Sequence, residues 1–487
     1  MSIEFDLGQI GSIHDVNAGS KSDPVTIRTN AAAQAWALSK AGIGNGDLVI
    51  ITHGGTPTFF SDLFAVWSLG ACAVCINPGL APGELRNVVD FTDAKALILG
   101  EGDDRVDLPD GLVHLSPIRD AGDIAPIAKI EADKDAPALI LFTSGTTGQP
   151  KGVVQTFGSL RARIDLNQQQ IARETLARTL CVLPTHFGHG LIGNCLTPLL
   201  AGGDLFLAPG GGMARAAGLG AILSDHEISF MSSVPSFWKM VLKLSKPPTT
   251  KSLQQVSVGS APVAAELIYE IAKWSGAPDV RNMYGITETA NWIAGSSTQD
   301  RAPEDGLIGT MWGGKAAVRL EDGTLATEGE GEIAVKTPSL MSGYFKRPDL
   351  TKQVLSKGWY FTGDTGTIDD HGIIRLGGRI KNEINRGGMK VSPEEIDLLL
   401  ERHDDVEEAC AFGIPDAAAG ETVAVAVKLS AGSSMIAESL RVWCTERIRR
   451  DCVPERWYFV AEIPKTDRGK LNRDIVRDKC TEGTGND

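Results

Sequence analysis

Helix-period stretches alternate with short apolar runs through the first hundred residues, and this cadence constrains the fold more than any other feature. Asn30 reads as a helix cap, because the run AAAQAWALSKAGIGNGD that follows is helical in pattern, closes on glycine, and leads straight into the apolar strand Leu48 to Thr52. The unit recurs as Phe59 to Leu69 with Ala71 to Ile76, and again as Glu84 to Asp90 with Ala96 to Leu99. Helices alternating with apolar strands imply parallel sheets covered on both faces, an α/β fold. At roughly 150 residues per domain, a chain of 487 has room for a large lobe and a smaller companion.

The texture changes near residues 300–380, where short β-branched or aromatic runs such as GEIAVKT and HGIIRLGG are separated by Gly and Asp turns, predicting a β-rich subdomain. Beyond Lys381 the pattern gives a helix from Pro393 to Arg402, strands near Cys410 to Ile414 and Val423 to Leu429, and a helix near Glu438 to Arg450. The expected organisation is a domain over 1–380 followed by a small α+β lid over 381–487. Charge limits the partners: 61 acidic residues against 47 basic leave an excess of 14 negative charges, which repels nucleic acid and anionic membranes. The start, MSIEFDLGQIGS, lacks a basic leader and apolar run, and the uncharged stretch Thr179 to Gly203 holds two prolines and five glycines, so neither a secretory signal nor a membrane span is read. Eight cysteines are too sparse for a disulfide scaffold; Cys72 and Cys75 lie inside an apolar run and read as core residues, which makes the cytoplasm the natural compartment.

The most specific local signal is the apolar strand LILF running into Thr143, Ser144, Gly145, Thr146, Thr147, Gly148, Gln149, Pro150 and Lys151. Such a loop presents backbone N–H groups and hydroxyls to phosphate oxygens. A Walker A loop is excluded, since Lys151 follows Gly145 by six positions and is itself followed by Gly152. Taken alone, the loop supports phosphate binding or a structural turn.

Four further segments follow in order: NMYGITETA at 282–290, GWYFTGDTG at 358–366, GGRIKNEINRGGMKVSPEEID at 377–397 and PKTDRGKLNR at 464–473. With the loop they resemble the adenylate-forming superfamily, in its acyl-CoA synthetase branch, and the resemblance covers most of the chain. It implies that a carboxylic acid is joined to the α-phosphate of ATP, releasing pyrophosphate, and then passed to the thiol of coenzyme A. Bringing two anions together is an electrostatic problem, met by cations, oriented donors and a metal-binding carboxylate.

The resemblance assigns roles by position. Thr143 to Thr147 and Lys151 hold phosphates; Thr287 and Glu288 follow, with Glu288 on a magnesium ion; Asp364 and Arg379 take the ribose. Tyr284 stacks on adenine, with Asn282, Met283, Gly285 and Gly259-Ser260-Ala261 around the base. Lys470 contacts the acyl oxygen and the α-phosphate in the first half-reaction. Lys381 is a hinge, and Gly387 and Gly388 line a tunnel for the pantetheine arm. The acyl pocket is framed by His186, Phe187, Gly188, Asn194, Ser233, Trp238, Ser260 and Trp292, which suggests a short, cyclic or aromatic acid. Gly188 stands where amino-acid-activating relatives place an aspartate, so an α-amino acid is disfavoured. Outside this context Asp364 is a turn residue, Tyr284 core and Lys470 a solvated lysine.

Two departures from the family stand out. Pro184-Thr185-His186-Phe187-Gly188-His189-Gly190 exchanges the usual aromatic and histidine positions, and Ala31 comes so early that a leading helix and strand are expected to be largely missing. A His186/His189 metal pair lacks a third ligand in its segment. Carrier-protein phosphopantetheine is the alternative acceptor, and the resemblance is compatible with a monomer or a homodimer.

Overall fold

The computed structural model of the protein describes residues 1–100, 102–103, 111–143, 151–386, 389–416, 419–466 and 470–482. Three large sheets carry the chain. The first places Leu48–Ile51 at its centre, parallel to Cys72–Cys75 and Ala96–Ile98, with Pro137–Thr143 parallel to Cys72–Cys75 and Lys151–Thr156 returning antiparallel beside it. The second begins with the parallel strands Ile13–Asp15, Asp204–Leu207, Arg178–Cys181, Phe230–Ser233, Gln255–Gly259 and Asp279–Gly285.

The helix Pro57–Ser68 is buried along nearly its whole length. Its Trp67 indole donates to Ala138 O at 2.8 Å, and the rings of Phe5, Phe64 and Phe157 lie 5.6 to 6.2 Å from that indole. The surrounding cluster takes Val49, Ala73 and Leu141 from the first sheet and Ile13, Leu205 and Leu207 from the second, so this helix fills the space between them. Each such aliphatic or aromatic side chain contributes roughly 1.5–3 kcal/mol by leaving water, which makes this layer the main support of the two strand edges that carry the site.

The first helix differs from expectation. It spans Pro24–Lys40, capped by Asp23, whose carboxylate accepts from Thr26 N at 2.8 Å, with Pro24 in the first position. Asn30 lies inside it, buried, donating to Arg119 O at 2.9 Å. Strands Ser2–Asp6, Ile13–Asp15 and Ser20–Ser22 precede it, so a leading strand expected to be missing is present, while no helix precedes Pro24 among the described residues. Cys72 and Cys75 are buried free thiols pushed up by desolvation, as core residues should be.

The β-rich texture near 300–380 continues the second sheet instead of forming its own. Trp292–Ser297 turns back antiparallel on Asp279–Gly285, Leu307–Met311 pairs beyond it, and Ile374–Arg379, Trp359–Ile368, Gly329–Lys336 and Lys315–Arg319 extend the edge. From Ile384 a separate five-stranded sheet forms, with Gly420–Leu429 at its centre, Val406–Asp416 antiparallel on one side and Arg456–Phe459 parallel to Gly420–Leu429. Its own apolar clusters include Ile396, Leu400, Val425 and Leu440 on one face and Phe412, Ile463 and Val476 on the other.

Ion pairs join this C-terminal sheet to the body. Lys239 Nζ lies 2.6 Å from Glu401 and Lys243 Nζ 2.9 Å from Glu407, both lysines standing on the helix Pro235–Leu244, and Arg402 pairs with Asp305. Ser392 Oγ also donates to Gly377 O at 2.7 Å. Among the described residues, no helix is long and apolar enough to cross a membrane.

Candidate active site

The parallel strands Gln255–Gly259 and Asp279–Gly285 end side by side, Gly259 opposite Met283. In an open α/β sheet the crevice beyond such carboxyl ends is where ligands gather. A Cβ on Gly259 would come within 2.4 Å of Met283 O, and one on Gly285 within 2.4 Å of Asn291 O, so glycine is what allows the backbones to close up here. Past Gly285 a single 3-10 turn, Thr287–Thr289, presents Glu288.

Glu288 is buried and held from several sides. Its Oε1 accepts from the Tyr344 hydroxyl at 2.7 Å, Lys151 Nζ stands 3.7 Å away, and its carbonyl accepts from Met341 N at 2.8 Å. Gln155 Nε2 donates to Thr287 O at 2.8 Å, pinning the turn to the strand Lys151–Thr156. The ammonium of Lys151 also sits 3.9 Å from the Tyr344 ring centroid. Burial holds Lys151 below the usual lysine range, with Lys381 and Arg379 adding to the effect and Glu288 opposing it.

A second carboxylate lies close by. Asp364 is cross-strand partner of Arg379, whose Nε is 2.6 Å from Oδ1, and the Tyr284 hydroxyl donates to Oδ2 at 2.5 Å. The charge of Asp364 raises the Arg379 pKa against burial. Lys470 acts electrostatically on both Asp364 and His189, which brings the C-terminal cation to the same cleft. Lys470 itself is exposed, on a turn where Thr466 N donates to its carbonyl at 2.8 Å. Lys381, in the turn Ile380–Asn382, is likewise exposed.

Three cations, Lys151, Arg379 and Lys470, thus each act on Glu288 or Asp364, and a fourth, Lys381, acts on Lys151. In a chain carrying a net charge of −14 this local excess of positive charge is what a polyphosphate requires. Among the described residues no group of three His, Cys, Asp or Glu could hold a metal. A magnesium ion would therefore use Glu288 together with substrate phosphate oxygens, a donor set that suits a hard cation keeping several waters.

The expected acyl-pocket residues divide. His189 Nδ1 is 2.8 Å from Ser260 Oγ and its Nε2 2.6 Å from Ser232 Oγ, while its ring meets Trp292 edge-on at 5.5 Å. Asn194 Nδ2 donates to Ser232 O at 2.8 Å, which joins it to this group. Ser260 adopts a left-handed φ of 69°. Burial, reinforced by the charge of Lys470, drops the His189 pKa to about 3. His186 and Phe187 form a ring pair with centroids 4.2 Å apart, both partly exposed. Trp238 instead joins the core beneath Pro235–Leu244, its ring 5.8 Å from Trp274, in a cluster separate from that of Trp292 and Met283.

Asn282 is committed to Leu307 O at 2.7 Å, and Met283 packs with Trp292 and Trp312. Ser144 to Pro150, which include Gly145, Thr146 and Thr147, and the pair Gly387 and Gly388 lie outside the described residues; Thr143 closes the strand Pro137–Thr143. Sequence reasoning missed Tyr344, Tyr360 and Ser232, and treated His189 only as a metal candidate. The chain has just five tyrosines, and three of them, at 284, 344 and 360, converge on Glu288 and Asp364. That scarcity was a usable signal.

Residues 26–345 match the model of the AMP-binding enzyme family, and residues 395–470 match its C-terminal domain. The chain belongs to the AMP-binding enzyme family. It is thereby an adenylate-forming enzyme of the kind that the five ordered segments indicated. It is 30% identical to a probable CoA ligase, CCL9, of Humulus lupulus over 90% of this chain and 88% of that one, and 31% identical to a 2-succinylbenzoate–CoA ligase of Geobacillus kaustophilus over 91% and 90%. Among solved structures it resembles ATP-bound MatB from Rhodopseudomonas palustris, with a TM-score of 0.85 and 25% identity, covering 97% of this chain and 96% of that one. For an AMP-binding enzyme, the end-to-end coverage means that both the body and the C-terminal sheet have counterparts in these relatives.

Proposed function

We propose that this AMP-binding enzyme is an acid–CoA ligase that works in two half-reactions at the cleft of Lys151, Glu288, Asp364, Arg379 and Lys470. In the first, a carboxylate oxygen attacks the α-phosphorus of ATP, the bond to the β-phosphate breaks, and pyrophosphate leaves. In the second, the thiol sulfur of coenzyme A attacks the acyl carbon, its proton passes to solvent, and AMP leaves with the former anhydride oxygen. The observation that best supports this reading is that Lys470, from the C-terminal part of the chain, acts electrostatically on Asp364, the ion-pair partner of Arg379.

Lys151 and the loop before it are assigned to the phosphates, Asp364 and Arg379 to the ribose, and Tyr284 to the adenine. Asp364 already has both oxygens engaged by Arg379 and Tyr284, so a ribose diol would donate to lone pairs whose direction those partners set. Magnesium at Glu288 would supply charge neutralisation on the phosphates. Lys470 orients the two approaching anions and offsets their repulsion. It must then withdraw to let the thiol in, which assigns a hinge to Lys381, a boundary between a domain over 1–380 and a lid over 381–487, and a channel to Gly387 and Gly388. CoA ligase names among relatives covering the full length favour coenzyme A over a carrier protein as acceptor, and the composition suits the cytoplasm.

Acid-dependent exchange of pyrophosphate into ATP is the direct test; release of orthophosphate and ADP would refute the reading. Tyr344→Phe removes the hydroxyl that holds Glu288. A hydrogen bond to a charged group contributes about 1.5–3 kcal/mol, so kcat/KM for exchange should fall roughly 10- to 100-fold. An unchanged rate would show that Glu288 needs no such support.

A further inference from the structure

The four segments that frame the acyl end of the cleft, residues 184–194, 228–238, 256–264 and 282–294, contain no lysine or arginine. Their one carboxylate is Glu288, which faces Lys151 and Tyr344. At the centre, His189 bridges Ser232 and Ser260, so both imidazole nitrogens already have hydroxyl partners in the uncharged ring. Lys470 is the cation nearest this group that the structure shows acting on it, and its charge discourages a second one from forming at His189.

The far wall is closed and polar. A Cβ on Gly193 would come within 2.1 Å of Asn291 Nδ2 and 2.9 Å of the Trp292 ring, so the two side chains press directly against the helical segment His189–Leu196. Asn291 Nδ2 and Asn194 Oδ1 are buried without hydrogen-bond partners. A second anionic group placed among such groups would lose its water with Lys470, already facing the reacting carboxylate, as the one cation shown acting there, whereas a neutral oxygen could trade water for Ser260 or the free amide.

Building on the acid–CoA ligase reading, we infer that the substrate is a short monocarboxylic acid whose remainder is uncharged and bears a hydroxyl or carbonyl oxygen, and that acids with a second anionic group are rejected. The reacting carboxylate faces Lys470, and the neutral oxygen is received by the Ser232–His189–Ser260 group. Size is limited by Trp292, which is buried against Met283 and Phe230 and has little room to retreat.

The test uses the full-length enzyme and non-hydrolysable adenylate mimics, 5′-O-(N-acylsulfamoyl)adenosines, titrated by tryptophan fluorescence. Three acyl arms of matched length are compared: 3-hydroxypropanoyl, butanoyl and malonyl. The hydroxypropanoyl mimic is expected to bind about 100-fold more tightly than the malonyl one and several-fold more tightly than the butanoyl one. Malonyl binding equal to or tighter than hydroxypropanoyl would overturn the inference while leaving adenylation intact. Butanoyl equal to hydroxypropanoyl would remove the oxygen substituent from it. If none of the three binds better than AMP, the underlying adenylation reading fails instead. Pyrophosphate exchange driven by 3-hydroxypropanoate, butanoate, oxalate, malonate and sulfoacetate should show the same preference for the singly charged acids.

Discussion

Replacing Lys470 with alanine is expected to lower acid-dependent pyrophosphate exchange roughly 10²- to 10³-fold, about 3–4 kcal/mol of transition-state stabilisation. The same variant, given preformed acyl-adenylate and coenzyme A, should make thioester at close to the parent rate. The asymmetry follows from where the residue sits. Lys470 is exposed, in the C-terminal part of the chain and far in sequence from Glu288, and its influence on Asp364 and His189 is through space. Removing its side chain therefore strips a cation from the cleft without opening a cavity. Loss of both half-reactions would mean instead that Lys470 holds the turn together, and the assignment would fall.

Arg473→Met should destabilise the C-terminal sheet by about 3–5 kcal/mol, the usual cost of leaving one member of a buried ion pair alone. Arg473 Nη2 lies 2.6 Å from Asp397 and 3.3 Å from Glu394, and its Nη1 donates to Ala411 O at 2.7 Å. Burial pushes Asp397 up to about 7 even against the pull of Arg473 and the Ala411 N–H. Without Arg473 the carboxyl is better tolerated as the neutral acid. The folded state then holds its proton to higher pH than the unfolded chain does, so stability of the variant falls as pH rises from about 4 through 7 and beyond. Thermal melts at pH 5 and pH 8 should show the larger deficit at pH 8; a pH-independent deficit would point to lost packing alone. Arg473 is three residues from Lys470, and Glu394 also accepts from Asn382 beside Lys381 at 2.6 Å. The network therefore ties the segment that follows Lys470 to the proposed hinge, and a second effect on exchange rate is expected.

Much of this was legible in the sequence because the chemistry sits in short contiguous segments marked by glycine, although Asp364, read as a turn residue, lies within the strand Trp359–Ile368. Tyr284 to Glu288, Thr362 to Asp364 and Gly377 to Lys381 each keep reactive side chains within a few residues of the backbone feature that aims them. Local pattern failed where the decisive neighbour is distant. Tyr344 reaches Glu288 from 56 positions away through antiparallel pairing of Gly343–Tyr344 with Lys151–Thr156, and neither segment alone announces the contact. The family resemblance puts Trp238 in the acyl pocket, but its helix turns the indole toward Trp274. Asn30 and Asp23 are both competent caps, and Pro24 in the first helical position was the clue that decided between them. That the β-rich run at 300–380 extends the second sheet was not legible, because alternation predicts strands without saying which sheet they join.

The helix Pro235–Leu244 buries Trp238 and Val241 on one side and offers Lys239 and Lys243 to Glu401 and Glu407 on the other. Those contacts are partly solvated, and at physiological salt charges are screened over about 8 Å. Raising ionic strength should therefore loosen the grip of the C-terminal sheet, the proposed lid, on the body before it disturbs anything inside the cleft. Adenylation would slow while thioester formation gained, so that the balance of the two steps would report on the ions dissolved around the protein.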